Sequence, residues 1–480
     1  MAIIIQNTLG RRLEVFKPFE PPLVRMYVCG PTPYDSTHIG HARTFVAFDA
    51  IKRYLKLSGY HVIHVQNITD IDDKIINKAK EEGVEWRDIA DRYTREYLEV
   101  LEGLNVHVDY HPRVSDHIND IISFINVLIE KGYAYVAPSG SVYFDVDRYP
   151  FYGELSGRLS KDQWRQEEQF AAEKKNPYDF ALWKAAKPGE PWWPSPWGRG
   201  RPGWHIECSV MSTKFLGPKI DIHGGGGDLI FPHHENEKAQ SEAALGQRPW
   251  VRYWLHTGYL TVEGEKMSKS LGNIVAAKEA ANKWGYGTLR LWLLSAHYRR
   301  QLNFSEETLE TYRKLYERIN RAAQSLDRHL RELGPAHSIS EKELKVIRRI
   351  RAELRGFHSE MSTDFNTPGA LKHLLNLTSI IYEEVLPSQN SAVALEAYKA
   401  LSDMDSVFSI IGKELREARW EEAIPTDALV DLIIEVRTEL RKKRMYELSD
   451  YIRERLLNLG IRVLDYRDRS EWYIESGKRR

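Results

Sequence analysis

The chain has 480 residues and balances 68 lysines and arginines against 68 aspartates and glutamates. Zero formal charge argues against a protein that coats nucleic acid by bulk electrostatics, although it leaves room for a local basic face. Two cysteines cannot build a disulfide scaffold in a chain of this length. No apolar stretch approaches the roughly 20 residues of a membrane span, and the N-terminus lacks a signal-like apolar core. We therefore expect a cytoplasmic protein with no membrane partner and about three domains.

A strand–helix–strand pattern occupies the first part of the chain. Leu23–Cys29 is short, apolar and β-branched, and the loop that starts at Gly30 stops it. Ala42–Ser58 carries helical apolar spacing that ends at Gly59, and His61–Val65 predicts the next strand. Such a βαβ unit is the building block of a parallel nucleotide-binding sheet. We therefore predict an α/β fold with a Rossmann-like parallel-sheet domain.

The middle and the end of the chain differ from this pattern. Short strands and the Pro/Trp-dense run Pro188–Trp197 indicate an insertion into the sheet domain, and the run itself predicts neither helix nor regular strand. After it we predict a strand at Gly203–Cys208 and another that leads into Gly224–Gly227. Helical patterns dominate from Asn303 to about Glu454, which predicts a helical C-terminal region.

The loop between the first strand and its helix contains His38-Ile-Gly-His41. The two imidazoles, three residues apart, would share one face of the opening helical turn. A helix N-terminus offers unpaired N–H groups and a positive end that suit phosphate, and Gly40 would let a nucleotide approach the backbone. A lone pair of this kind is more often an ordinary helix start.

A second motif, Lys266-Met-Ser-Lys-Ser270, lies far downstream in a polar loop. Lysines on a mobile loop can close over a polyphosphate as charge builds in a transition state. By itself such a loop is most often solvated surface. Together, the His38–His41 and Lys266–Ser270 motifs resemble the paired signatures of class I aminoacyl-tRNA synthetases. The resemblance implies four catalytic residues: His38, His41, Lys266 and Lys269.

Five further segments are similar to the cysteinyl-tRNA synthetase family: Tyr27–Asp35, Asn67–Lys74, Gly203–Cys208, His223–Glu237 and Leu289–Arg299. The match covers nearly the whole chain. It implies an enzyme that ligates L-cysteine to tRNA(Cys) in two steps. ATP and cysteine first give cysteinyl-adenylate and pyrophosphate, and the terminal ribose of the tRNA then takes the cysteinyl group through its 2′ hydroxyl. The first step needs no protein nucleophile or general base, because the substrate carboxylate is already ionised.

The family also holds one zinc ion per chain through two cysteines, a histidine and a glutamate. The resemblance places these ligands at Cys29, Cys208, His233 and Glu237. Residues 233 and 237 would share a helix face, and mixed sulfur, nitrogen and oxygen ligands suit tetrahedral zinc. Without the resemblance, two distant free cysteines are more often packing residues. Shape alone separates cysteine from serine poorly, so the hypothesis is that substrate cysteine binds the zinc as a thiolate.

Other residues in the matched segments are candidates for substrate contact. The resemblance, together with a switch point at the strand ends, implies ATP-binding residues at His38, Gly40, His41, Gly225, Asp228, Lys266 and Lys269, with Mg²⁺ accompanying ATP. For substrate cysteine we expect contacts from Gly30, Thr69, Trp204, His223 and Asp228, the last through the α-amino group. The ordinary alternative for Trp204 is a place in the core, and that for Asp228 is a turn.

The C-terminal third resembles the tRNA-reading region of the family. Candidate tRNA contacts are Arg437, Arg441, Lys442, Arg444 and Trp472, although a charge run is usually a solvated face. The resemblance predicts a catalytic domain in two segments, 1–120 and 196–255, around an inserted connective domain at 121–195. It further predicts a region with the Lys266–Ser270 loop and a tRNA-stem contact at 256–304, a helical bundle at 305–415 and an anticodon-binding domain at 416–480. We expect a monomer.

Three other functions fit parts of the sequence. A ligase of the same fold joins cysteine to an amino sugar of inositol without tRNA, but the long C-terminal region with its basic helix disfavours it. A synthetase-like binding protein without catalysis is disfavoured by the intact His38–His41 and Lys266–Ser270 motifs. A zinc hydrolase with a His-Glu-x-x-His motif would need a second histidine where Lys238 stands.

Overall fold

The computed structural model describes residues 2–164, 171–267, 271–334, 338–411, 426–458, 461–465 and 470–474. The chain divides into two compact units, Met1–Ile410 and Ile411–Arg480. Each unit is described by itself below. The finer domain limits, such as an insertion at 121–195, stay predictions.

The first unit begins with an antiparallel hairpin and then alternates strands with helices. Its first elements are β1 (Ile4–Asn7), β2 (Arg12–Val15), β3 (Leu23–Val28), α1 (Ile39–Leu57), β4 (His61–Gln66), α2 (Asp73–Glu82), α3 (Trp86–Gly103) and α4 (Ile118–Glu130). The predicted βαβ unit is therefore confirmed. The helix starts before the predicted Ala42, because the His38 side chain accepts a hydrogen bond from the backbone N–H of His41 and caps the first turn.

The next stretch forms an antiparallel five-stranded sheet of its own. The strands are β5 (Ala134–Val136), β6 (Val142–Phe144), β7 (Phe180–Ala185), β8 (Trp193–Ser195) and β9 (Gly198–Pro202), in the order β5-β6-β7-β9-β8. The expectation that Pro188–Trp197 contains no regular strand is wrong for its second half. Trp193 to Ser195 pair with Gly198 to Gly200 across a tight turn, and proline is tolerated in β8 because this strand is at the edge of the sheet.

The chain then returns to the parallel sheet. The elements are α5 (Trp204–Leu216), β10 (Ile220–Gly226), α6 (Glu235–Leu245) and β11 (Val251–Thr257). The sheet order is β11-β10-β3-β4 with all neighbours parallel, and α1 and α5 pack on its strands. The predicted strand at Gly203–Cys208 is wrong, because Trp204 opens a helix. That helix is buried around most of its surface, so its sequence lacks the one-sided apolar spacing that marks a surface helix.

A small sheet and a helical region complete the first unit. The elements are β12 (Leu260–Val262), β13 (Glu265–Lys266), α7 (Ala277–Trp284), α8 (Tyr286–Leu293), β14 (Leu302–Phe304), α9 (Glu306–Glu332), α10 (Glu341–Met361), α11 (Thr367–Ile380) and α12 (Ser391–Phe408). β12 pairs with β13 antiparallel and with β14 parallel. The predicted change to helical structure after Asn303 is confirmed.

The second unit contains two helices and a two-stranded antiparallel sheet. Its described elements are α13 (Thr426–Lys442), α14 (Tyr446–Asn458), β15 (Ile461–Asp465) and β16 (Ser470–Ile474). A small core is formed by Val430, Ile434, Leu456 and Val463. Across both units, no described helix has the combination of length and apolar character that crossing a bilayer requires.

Candidate active site

A cleft of about 400 Å³ opens at the carboxyl ends of the parallel strands. Its walls come from the loops after β3 and β10, the first turns of α1 and the segment Thr257–Leu260. Ligands of open α/β sheets bind at this edge, because the loops that follow parallel strands meet there. The position of the cleft therefore agrees with the predicted nucleotide-binding role of the sheet.

Four metal-binding side chains converge beside this cleft. Cys29 follows β3, Cys208 lies on α5, His233 precedes α6 and Glu237 lies in its first turn. One ligand atom from each lies within 4.8 Å of the other three, and all four residues are buried. Two sulfurs, one imidazole nitrogen and one carboxylate oxygen form a set that suits tetrahedral zinc. The donor chemistry and the spacing thus fit the predicted metal.

The individual contacts show how tightly these donors are grouped. The Sγ atoms of Cys29 and Cys208 are 3.7 Å apart, and Cys29 Sγ is 3.4 Å from Glu237 Oε1. Nε2 of His233 lies 3.5 Å from Cys208 Sγ and 2.9 Å from Glu237 Oε1. His233 lies in the turn before α6 rather than on that helix, but its ring still meets the Glu237 carboxylate, as the spacing predicted.

The cluster favours anionic donors. Burial alone would raise the pKa of Glu237, but the imidazoles of His223 and His233 outweigh it and lower that pKa well below its usual value. Burial also opposes ionisation of Cys208, yet hydrogen bonds from Cys29 and His233 lower the pKa of this thiol to about 6. Burial and the neighbouring Cys208 raise the pKa of Cys29. A thiolate and a carboxylate are thus already stabilised, and metal ligands of these types must be deprotonated.

Additional histidines surround the donors, and sequence reasoning missed them. His234 Nε2 lies 3.2 Å from Cys29 Sγ, and His234 belongs to a second convergent set with Cys29, His223 and Glu237. His205 Nδ1 is 2.9 Å from Nδ1 of His233, and His256 Nε2 is 2.7 Å from Nδ1 of His234. The available signal was adjacency, because His234 follows a predicted ligand directly. Nothing in the spacing of His256 points to this cluster.

The residues predicted to contact substrate cysteine fall into two groups. Gly30, Thr69, Trp204 and Asp228 line the cleft together with Cys29, Cys208 and His233. The Trp204 ring stacks on His233 with 4.2 Å between the ring centroids. His223 is fully buried and is not among the described residues of the cleft wall; its Nε2 instead lies 2.8 Å from Glu237 Oε2. His223 is therefore placed to orient a predicted metal ligand.

Part of the predicted ATP-binding set lines the cleft, namely His38, Gly40, His41 and Asp228. The rings of His38 and His41 stack with 3.6 Å between centroids, and both residues line the cleft with Gly40. Gly225 is not among the described lining residues, whereas its neighbours Gly226 and Gly227 are. Lys266 ends β13, and Lys269 lies outside the described residues.

In the second unit, the position of Arg437 differs from the predicted tRNA contact. The Arg437 side chain is fully buried, and its guanidinium donates two hydrogen bonds to Asp465, at 2.5 and 2.7 Å. It is therefore a structural residue, and the prediction that it contacts tRNA is wrong. Arg441 also donates to Asp465, and Trp472 donates from Nε1 to Asp431 and packs on the small core. Lys442 and Arg444 are exposed.

Comparisons with known proteins show the family of the chain. Residues 15–314 match a family model described as the tRNA synthetases class I (C) catalytic domain. The cysteine–tRNA ligase of Aeropyrum pernix is 59% identical over 98% of this chain and 99% of its own length. Those of Staphylothermus marinus and Saccharolobus solfataricus are 53% and 52% identical, again over 98% of this chain and 98% and 99% of their own lengths.

Two solved structures show the same fold at low sequence identity. The methionyl-tRNA synthetase of Mycobacterium tuberculosis in complex with methionyl-adenylate has a TM-score of 0.57 and 18% identity, over 86% of this chain and 93% of its own. The LeuRS of Agrobacterium radiobacter in a ternary complex has a TM-score of 0.63 and 11% identity, over 83% and 85%. With relatives this similar over nearly the full length, the chain belongs to the cysteine–tRNA ligase family of class I aminoacyl-tRNA synthetases.

Proposed function

We propose that the cleft makes cysteinyl-adenylate from ATP and L-cysteine and passes the cysteinyl group to the terminal ribose of tRNA(Cys). A single observation carries this proposal. Cys29, Cys208 and His233 line the same cleft as His38 and His41. A sulfur-binding centre and a phosphate-binding helix start therefore face one cavity, as a reaction that joins a thiol-bearing amino acid to ATP requires.

The cysteine end of the cleft provides selectivity. Zinc held by Cys29, Cys208, His233 and Glu237 would take the substrate sulfur as a thiolate, and serine's hydroxyl is harder to ionise and a poorer soft ligand. The carboxylate of Asp228 lines the cleft and would pair with the substrate α-amino group. Trp204, stacked on His233, would exclude water from this end.

The nucleotide end holds the triphosphate. His38 and His41 lie at the start of α1, where the positive end of the helix dipole favours phosphate. The substrate carboxylate is already ionised, so its attack on the α-phosphorus needs orientation rather than a protein base. Lys266 and Lys269 would stabilise the pentavalent phosphorus and the leaving pyrophosphate. We expect Mg²⁺ to accompany ATP. We further propose that the enzyme works as a monomer in the cytoplasm and that Lys442 and Arg444 contact the tRNA.

The test replaces the two proposed thiol ligands and measures both the zinc content and the pyrophosphate exchange activity. In the Cys29→Ala/Cys208→Ala variant we expect loss of bound zinc and loss of cysteine-dependent pyrophosphate exchange with ATP. Ser212→Ala is the matched control, since this buried side chain lies one turn beyond Cys208 and donates to the backbone carbonyl of Ser209. Full exchange by the double alanine variant, with serine still rejected, would contradict the zinc proposal.

A second assay separates the two steps. Wild-type enzyme should charge tRNA transcripts that carry the cysteine anticodon and leave transcripts with another anticodon uncharged. Exchange without charging would favour a ligase that uses another acceptor. The absence of both reactions would favour a protein that only binds these ligands.

A further inference from the structure

Glu207 is a buried carboxyl on α5 for which the proposed reaction has no use. It directly precedes Cys208, and only 1% of its surface is exposed. Burial, reinforced by the neighbouring Cys208, raises the pKa of this carboxyl well above its usual value. Burying such a group is unfavourable unless hydrogen bonds compensate, so the groups that Glu207 holds indicate its role.

One partner of Glu207 is the hydroxyl of Thr69. Its Oγ1 donates to Oε2 of Glu207 at 3.1 Å. Thr69 lies three residues after β4, is 2% exposed and belongs to the wall of the cleft. A carboxyl oxygen accepts a hydrogen bond whether or not the group carries a proton, so this contact does not depend on the ionisation of Glu207.

Asn67 binds the same hydroxyl. Its side chain is fully buried, its Oδ1 accepts from the backbone N–H of Gly30 at 2.9 Å, and its Nδ2 donates to Thr69 Oγ1 at 3.1 Å. A backbone N–H can only donate, so the amide oxygen of Asn67 must face Gly30 and its NH₂ group must face Thr69. The Thr69 hydroxyl therefore accepts from Asn67, and its own proton goes to Glu207.

This chain of hydrogen bonds decides what the Thr69 hydroxyl can offer to a ligand. A hydroxyl has one proton and two acceptor lone pairs. Glu207 takes the proton and Asn67 takes one lone pair, so a further partner can use only the second lone pair. An acceptor suits the ammonium group of an amino acid and does not suit its carboxylate. The cleft wall also contains Asp228, whose carboxylate is the proposed partner of the same ammonium.

We infer that Glu207 is a positioning residue that acts through Thr69 and holds the threonine hydroxyl as an acceptor for the α-amino group of substrate cysteine. The inference rests on the proposed binding of cysteine in this cleft. Glu207 and Cys208 are neighbours on α5, and Asn67 Oδ1 lies 3.7 Å from Cys208 Sγ. The acceptor for the amine is therefore built on the same groups that hold a sulfur-binding donor. Without the Glu207 carboxyl, the hydroxyl can turn its proton towards the ammonium, and cysteine binds less well.

The test measures cysteine-dependent pyrophosphate exchange in matched variants. Glu207→Met removes the acceptor for the Thr69 hydroxyl, Glu207→Gln keeps an oxygen that can accept, and Thr69→Val removes the hydroxyl at nearly constant shape. For Glu207→Met we expect the KM for cysteine to rise by about 10-fold, with unchanged KM for ATP and unchanged zinc content. Glu207→Gln should recover most of this loss. Thr213→Val is the control and should keep the wild-type KM, since Thr213 lies on the same helix and is not among the described residues of the cleft wall.

Two further measurements separate positioning from a general loss of structure. 3-Mercaptopropionate carries the thiol and the carboxylate of cysteine but no amino group, so its inhibition constant should be the same in Glu207→Met, Thr69→Val and the wild type. The double variant Glu207→Met/Thr69→Val should show the KM of Thr69→Val alone, because Glu207 has no effect once the hydroxyl is gone.

Three results would overturn the inference: a wild-type KM for cysteine in Glu207→Met, an equal loss of affinity for cysteine and 3-mercaptopropionate, or additive effects in the double variant. If Glu207→Met does not fold, Glu207→Asp replaces it, since the shorter side chain withdraws the carboxyl from Thr69. A wild-type KM for cysteine in that variant would likewise overturn the inference. The underlying proposal fails separately, because wild-type enzyme without cysteine-dependent exchange would refute it before any variant is compared.

Discussion

The ammonium of Lys238 lies 3.0 Å from the carboxylate of Glu154, which joins the helix of Glu237 to the segment after β6. Lys238 is 1% exposed and also lies 3.1 Å from the hydroxyl of Tyr149. Nearby, the backbone N–H of Ser156 donates to Glu235 at 2.8 Å. The segment 149–156 thus holds the first turn of α6, where one of the proposed zinc ligands lies.

Lys238→Met should therefore weaken metal binding as well as stability. Methionine keeps the length of the side chain but removes the buried ammonium that joins α6 to Glu154 and Tyr149. Arg248 stays paired with Glu154, so the first turn of α6 loses one of its ties to the segment 149–156. Changes beside metal ligands typically reduce metal affinity by about 10–100-fold, and we expect a value in that range from competition with a zinc chelator. Lys214→Met is the control, because Lys214 pairs with Asp120 at the surface and should change neither quantity. Equal zinc affinity in both variants would contradict this prediction.

Gly30→Ala should abolish cysteine activation. A Cβ at this position would lie 1.6 Å from the backbone oxygen of Asn67, so the ends of β3 and β4 must separate. Cys29 is the adjacent residue, and its sulfur would move with the strand end. We expect cysteine-dependent pyrophosphate exchange to fall by at least about 100-fold. Gly334→Ala, where a Cβ meets no atom within 4 Å, should keep full activity and so serves as the control.

The buried ring of His64 should make the protein sensitive to mild acid. His64 is fully buried, neither ring nitrogen has a hydrogen-bond partner among the residues that the structure describes, and burial lowers its pKa to about 3. Its unfolded pKa is about 6.5, so its contribution to stability is complete above that pH and is lost as the pH falls from about 6.5 towards 3. In this window one such group gives a slope of up to about 1.4 kcal/mol per pH unit.

His64→Leu removes this proton uptake and should flatten the dependence of the free energy of unfolding on pH. Denaturant unfolding at several pH values between 4 and 7 measures the slope. His61→Leu, an exposed residue of the same strand, should leave the wild-type slope unchanged. An identical slope in His64→Leu and the wild type would show that the ring is not buried neutral.

Arg437→Met should destabilise the second unit and spare the first reaction step. The variant removes the buried guanidinium that bonds Asp465 and the Ser449 carbonyl, whereas the exposed Asp465 keeps its pairing with Arg441. We expect the loss of these charged hydrogen bonds to cost about 1.5 kcal/mol or more. All described residues of the cleft belong to the first unit, so pyrophosphate exchange should stay at the wild-type level while tRNA charging falls. Arg444→Met should instead keep the stability and raise only the KM for tRNA. Thermal unfolding together with both assays distinguishes the two arginines.

Features set by neighbouring residues could be predicted from the sequence. The apolar run before Gly30 predicted a strand correctly, and the apolar spacing after Ala42 predicted the helix, which starts three residues earlier, at Ile39. The helix from Trp204 to Leu216 could not be predicted from periodicity, because a helix that is buried around most of its surface has no polar face to set a period. For such a segment, the sequence pattern of a short apolar strand and that of a buried helix are the same.

The positions of the site residues relative to one another depend on long-range packing, which the sequence alone does not show. The convergence of Cys29 with Cys208 was implied by the family resemblance, since these residues lie on separate elements. His256 reaches the cluster only because β11 lies beside β10 in the sheet, which no local pattern encodes. For Arg437 the sequence predicted too much. A run of positive charge does not show which of its residues pairs with a carboxylate inside the fold.

The two cysteines also offer a way to measure the state of the donor cluster by chemical modification. The chain has no other thiol, and both sulfurs lie in the donor cluster, 3.7 Å apart. An alkylating reagent thus meets no other thiol on the protein, and in the proposed zinc centre bound metal would shield both sulfurs, so the added mass would report the metal-free fraction. Occupancy of the proposed centre could therefore be followed on intact protein before substrate cysteine is added, without any engineered label.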